Sequence, residues 1–171
     1  MSLDIKQLHR FVVRPALDHV GLAGLAAERL VIGTALTESN ASKLDQIGRG
    51  GEDGWGPALG LFQMERATFE DHMRWLTGRQ AALGEKVRQL AGTWSPAGDL
   101  WKQLAGNLNF AAAMCRIHYY RRPFKLPEAD DLDGLARAWK YEYNTVAGAG
   151  KSEDFKARAA PVMTLVTGSG R

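Results

Sequence analysis

The chain has 171 residues and a formal net charge of +3, with 45% hydrophobic and 24% charged residues. That is enough chain for one self-sufficient core, with the composition of an ordinary globular protein and a basic charge well short of a nucleic-acid arm. A single cysteine, Cys115, cannot close an intrachain disulfide, and no apolar run approaches the ~20 residues of a membrane span.

Read in chain order with a period of 3.6, the sequence predicts one mainly α domain over residues 1–171. Ile5, Leu8, Phe11, Val12, Ala16 and Val20 mark a first amphipathic helix that Pro15 should kink or split. Charges in "MSLDIKQLHRFVV" stand where a signal peptide has its apolar stretch, so synthesis in the cytoplasm without a signal peptide is expected. Residues 25–37 form a second helix, apolar on most sides. The glycine-rich stretch that follows reads as a long loop, with at most a minor hairpin between residues 40 and 60.

Thr68 with Asp71 gives a T-x-x-D start for a helix running through Trp75, and "AALGEKVRQLAG" makes another. Asp99 is placed to cap a long helix with Trp101, Leu104, Leu108, Ala111, Ala112, Cys115 and Tyr119 on one stripe, stopping before Pro123. Residues 131–143 predict a further helix with Leu132, Leu135, Ala136 and Trp139 inward. The segment "SEDFKARAAPVMTLV" predicts a last one, with its own proline.

Few groups carry recognisable chemistry. The four histidines, His9, His19, His72 and His118, form no metal-binding motif, so no metal or other cofactor is expected. Cys115 in "FAAAMCRIHYY" reads as a small core residue. The glycines of "GRGGEDGWG" lack the lysine and the preceding strand of a phosphate loop. Arg116, Arg121, Arg122 and Lys125 mix with aromatics, but a solvated helix end accounts for them better than nucleic-acid binding does.

Glu38 remains. It ends an apolar helix, where the dipole disfavours a negative charge and desolvation would raise its pKa in the same direction. It is either a solvated helix end or an acid held in an apolar cleft. A carboxyl group kept partly protonated near neutral pH suits a general acid on a glycosidic oxygen.

Glu38-Ser39, then Gly60-Leu61-Phe62-Gln63-Met64 with Ala67-Thr68, then Asn109-Phe110, then Tyr143-Asn144 occur in this order over about two thirds of the chain. This order resembles the soluble lytic transglycosylase family, whose fold is lysozyme-like of the goose type. The wording "RPALDHVGL", "LVIGTALTES", "GPALGLFQME" and "AWKYEYNT" is similar to a phage or prophage branch of that family.

The resemblance implies a peptidoglycan-cleaving enzyme. Glu38 would be its one catalytic acid and base, cutting the β-1,4 bond between N-acetylmuramic acid and N-acetylglucosamine and yielding 1,6-anhydro-muropeptides. Ser39, Phe62, Gln63, Met64 and Tyr143 match positions that order the acid or line the sugar cleft. Asn109 and Asn144 match structural amides. Trp55, Trp94 and Trp139 could stack sugars, although core packing is the default for tryptophan.

The chain departs from the family pattern in a longer glycine-rich loop after Glu38, in "EYNTVAGAG", and in Ala113 where glycine is common. That loop holds Glu52 and Asp53. A second carboxylate reaching the cleft would activate water and make the protein a hydrolytic muramidase; otherwise the two simply solvate an exposed loop.

The implied partner is a peptidoglycan glycan strand, with no nucleic acid and no membrane insertion. A cytoplasmically made enzyme would reach the wall by release or by association with a phage virion. A non-catalytic virion or wall-binding module on the same fold is the alternative of a different class.

Overall fold

A computed structural model describes residues 2–46, 54–92, 98–144 and 149–168. The protein is mostly helical, 66% helix and 3% strand. The three regions that frame the candidate site are the first helical hairpin, the short β-turn unit, and the helix pair near the C-terminus.

The first helix adapts to Pro15 without breaking. Helix α1 (Ile5–Leu8) widens into a π turn over His9–Val13 and resumes as α2 (Arg14–Val20). A proline in a helix lacks a donor and crowds the carbonyl four residues back, and one wide turn relieves both. The side-chain amide of Asn109 lies 3.3 Å from the Val12 carbonyl and 3.5 Å from that of Phe11 at this turn. Asn109 therefore has the structural role expected of it.

Helix α3 (Leu25–Ser39) is the central element, packed against the first π turn and against three later helices, Leu108–Tyr120, Ser152–Ala159 and Val162–Leu165. Residues 27 to 36 are all buried. Gly33 admits the Ser152–Ala159 helix closely, since a Cβ there would collide with the Phe155 ring. Two charges on α3 are buried with partners. Glu28 meets His9 at 2.5 Å, and Arg29 donates to the carbonyls of Ala129, Met163 and Val166 at 2.8 to 3.0 Å. Burial without such bonds would cost several kcal/mol per ion, roughly.

The strands β1 (Ala58–Leu59) and β2 (Met64–Glu65) pair antiparallel, with Leu59 opposite Met64, and Asp45 forms a bridge to Leu59. The pairing thus straddles Gly60-Leu61-Phe62-Gln63 and does not lie within residues 40–60 as anticipated.

Helix α4 (Arg66–Arg79) follows without a linker. It starts before Thr68, so Thr68 is not its cap, and the expected T-x-x-D start is overridden. Arg66 is fixed by Asp99 at 2.5 Å and by the Trp101 ring at 4.3 Å, while Asp71 pairs with Arg121 at 2.7 Å.

Helix α5 (Ala81–Leu90) comes next. Asp99 accepts from the Trp101 amide as anticipated, but it starts only a 3-10 turn (Leu100–Lys102) and α6 (Gln103–Gly106). The predicted long helix is broken at Asn107. The Asn107 carboxamide oxygen accepts from the Phe110 amide at 3.1 Å and caps a separate α7 (Leu108–Tyr120). Asparagine competes in this way with helix continuation.

Asp131 caps α8 (Leu132–Ala138) through the Gly134 amide at 2.7 Å. The helix then widens into a second π turn, Trp139–Tyr143. Helices α9 (Ser152–Ala159) and α10 (Val162–Leu165) flank Pro161. Among the described residues no helix is long and apolar enough to cross a membrane, and no group of acidic, histidine or cysteine side chains is arranged to hold a metal ion. Cys115 is fully buried.

Candidate active site

Glu38 sits in the last turn of α3. The helix stops because Asn40 and Ala41 both turn left-handed, with φ of 54° and 46°. Their amides return to the carbonyls of Leu36 and Ala35 at 3.0 Å each. Asparagine adopts this conformation readily; alanine does so only under constraint.

The Ser39 hydroxyl lies 2.7 Å from the Leu61 carbonyl and 3.1 Å from that of Ala35, and its one proton goes to the nearer. The end of α3 is thereby tied to the turn between β1 and β2.

That turn is tightly built. Gly60 has a φ of 76°, and a Cβ on it would collide with the Leu104 carbonyl. Gln63 also has a positive φ, 48°, which is uncommon for a non-glycine residue. Its backbone and side-chain N–H groups both donate to the Gly60 carbonyl, at 3.0 and 2.8 Å. The side chain is half-buried, and among the described residues nothing donates to its amide oxygen. The side chains of Phe62 and Met64 are 1% and 3% exposed. Both side chains pack into the core beneath the turn. Ser39, 3% exposed, is likewise a tie under the surface. These three are apolar or hydrogen-bonded groups for which the core offers the better environment.

The second π turn supplies the other wall. The indole N–H of Trp139 donates to Glu38 Oε1 at 2.8 Å. Trp139 is buried and stacks on Phe155, so its N–H is held in place. Tyr143 donates its hydroxyl to the Phe62 carbonyl at 2.7 Å. Tyr143 therefore ties the turn carrying Gln63 and does not bond the acid itself. Asn144 closes the π turn through its amide on the Trp139 carbonyl at 2.9 Å.

Beneath lie Thr34, one helical turn before Glu38, with Tyr119, Cys115 and Tyr143. Thr34 gives its proton to the Leu30 carbonyl, so Tyr119 donates to Thr34, both at 2.8 Å. Burial pushes the Cys115 thiol and the Tyr119 and Tyr143 hydroxyls up, and the nearby Glu38 charge adds to this. All three stay neutral.

Glu38 itself is pushed up to about 7 by desolvation, partly offset by the Trp139 hydrogen bond, which favours the ionised form. No other carboxylate among the described residues acts on it. A carboxyl group poised there can be an acid and a base in turn at neutral pH. Glu52, Asp53 and Trp94 lie outside the described residues. Trp55 is half-buried, with the Lys102 ammonium 5.1 Å from its ring centre.

Ser39, Gln63 and Tyr143 are thus tied to carbonyls of one turn, those of Leu61, Gly60 and Phe62, and Glu38, next to Ser39 in the chain, is bonded to the Trp139 indole; together these bonds make the frame of the site. Sequence reasoning did not find Trp139 as the partner of Glu38. The available signal was its position four residues before Tyr143, which puts both on one helix face. Thr34, Tyr119 and the histidine pair described below were also missed as parts of this frame.

No protein-family profile, no curated protein and no solved structure matches the chain.

Proposed function

We propose that the protein is a lytic transglycosylase with a lysozyme-like fold of the goose type, acting on the glycan strands of peptidoglycan. The observation that carries this reading is the Glu38 carboxyl group, desolvated at a helix end, held by the Trp139 indole and pushed up to about 7. The order of motifs from Glu38 to Asn144 supports it independently.

In this reading protonated Glu38 gives its proton to the oxygen bridging N-acetylmuramic acid and N-acetylglucosamine. That bond breaks with charge developing at the muramyl anomeric carbon. The Glu38 carboxylate then accepts the proton of the muramyl 6-hydroxyl as this oxygen closes on the anomeric carbon. The ring closure consumes no water, and the carboxyl group is regenerated. Gln63 offers its amide oxygen to sugar hydroxyl or acetamide N–H groups. Tyr143 and Ser39 hold the wall that presents it. Release from the cell, or carriage on a phage virion, would bring the enzyme to the wall.

Incubation with purified sacculi tests the reading. Mass spectrometry should find muropeptides lacking a reducing end, lighter by one water than hydrolysis products. Reducing-end products would assign a hydrolytic muramidase, and intact sacculi that retain the protein would assign a binding module.

A further inference from the structure

Behind Tyr143 runs a buried chain of hydrogen bonds whose direction is fixed at its outer end. Arg121 Nη1 lies 2.6 Å from His72 Nδ1 and 2.7 Å from Asp71 Oδ2. A guanidinium only donates, so His72 Nδ1 carries no proton. His72 Nε2–H must then donate to His118 Nδ1, 3.0 Å away. His118 Nε2–H in turn donates to the Glu142 carbonyl at 2.6 Å.

The two rings meet edge to face at 5.0 Å, and each residue is 5% exposed or less. Burial is the main force holding both imidazoles neutral; at His72 the neighbouring His118 and Arg121 add to it against Asp71, and at His118 the Glu142 carbonyl opposes it while Arg122 and Arg121 add to it. Every polar atom of both rings is therefore committed, and each ring has one allowed tautomer.

The inner end of this chain lies on the π turn Trp139–Tyr143. Carbonyls in the last turn of a helix have no partner of their own. His118 supplies one to Glu142, and its ring packs against Tyr143 at 4.6 Å. Three residues earlier the same turn carries the indole that donates to Glu38.

We propose that His118, locked in its tautomer by His72 and Arg121, is a positioning residue: it holds the π turn so that the Trp139 N–H stays on Glu38. The proposal rests on the reading of Glu38 as the catalytic acid.

NMR of the folded protein tests it without substrate. Imidazole nitrogen shifts at neutral pH should show single Nε2–H tautomers for both His72 and His118; an Nδ1–H tautomer at His118 overturns the proposal. His118→Gln retains a donor for Glu142 and an acceptor for His72, and should leave the Glu38 titration midpoint and the Trp139 indole resonance near wild type. His118→Phe removes the donor. It should move the indole resonance and raise the Glu38 midpoint by roughly half a unit or more; a folded His118→Phe protein with both unchanged overturns the proposal.

Should His118→Phe not fold, Arg121→Met carries the test from the outer end. Mixed histidine tautomers with a displaced Trp139 indole resonance support the chain, and unchanged spectra overturn it. Because no readout uses sugar, an inactive wild-type protein would remove the assigned reaction and leave these results to stand or fall separately.

Discussion

Trp139 and Glu38 stand 101 positions apart in the chain and meet through a 2.8 Å hydrogen bond from indole nitrogen to carboxylate oxygen. The bond favours the charged form of an acid whose burial favours the neutral one, and burial wins. Glu38 is therefore held near the midpoint of its titration at neutral pH. Each prediction below depends on that balance or on the frame that maintains it.

Glu38→Gln should abolish activity and stabilise the fold at high pH. The folded-state pKa of this acid lies above its ordinary value of 4.5, so the folded protein binds the proton more tightly than the unfolded chain does. Stability from this group is full below pH 4.5 and is lost as pH rises through about 7. Glutamine can still accept from Trp139 and carries no charge. Thermal unfolding should show little difference from wild type at pH 4 and a gain of up to about 3 kcal/mol at pH 8.

Trp139→Phe removes the donor on Glu38 and should raise the carboxyl pKa further. The alkaline limb of the activity profile would then move to higher pH, while total activity falls as the acid loses its orientation. Loss of indole volume beside Phe155 should cost roughly 1 to 3 kcal/mol in a denaturant titration. An alkaline limb at its wild-type position would detach Trp139 from Glu38.

Gln63 separates backbone strain from substrate contact. Glycine is at ease at a φ of 48°, so Gln63→Gly should keep stability within about 1 kcal/mol of wild type despite the lost side-chain bond. A β-branched residue is not, and Gln63→Val should cost about 2 kcal/mol. Both variants should lose activity on sacculi, the glycine variant without a matching loss of melting temperature.

The histidine pair should make the protein acid-sensitive. His118 and His72 are lowered to about 4 and about 3, chiefly by burial. An unfolded chain takes up these protons at about pH 6.5, so their contribution is full above 6.5 and declines as pH falls toward 4. Unfolding free energy should drop by about 2 kcal/mol or more between pH 6.5 and 4.5 from this source. His118→Gln should show a shallower decline over the same window.

Local signals in the sequence identified much of the architecture. The all-round apolar pattern placed α3 as a buried helix with Glu38 in its last turn, and Asp99 and Asp131 cap where their spacing indicates. Asn107 interrupts the predicted long helix because its side chain competes for the Phe110 amide, a choice that propensity alone does not resolve. The two π turns were not legible either. One answers the crowding at Pro15, and the other is held by contacts from α3 and α7 that lie far away in the chain. Within the site, Glu38, Gln63 and Tyr143 stand out by position. The buried roles of Ser39, Phe62 and Met64 follow from tertiary packing, which a motif does not encode.

The most direct measurement is a carbon-detected NMR titration of the Glu38 side-chain carboxyl in the intact protein. A midpoint near 7 is the predicted result. A midpoint near 4.5, the value of a glutamate in open water, would contradict the assignment of Glu38 as a proton donor at neutral pH.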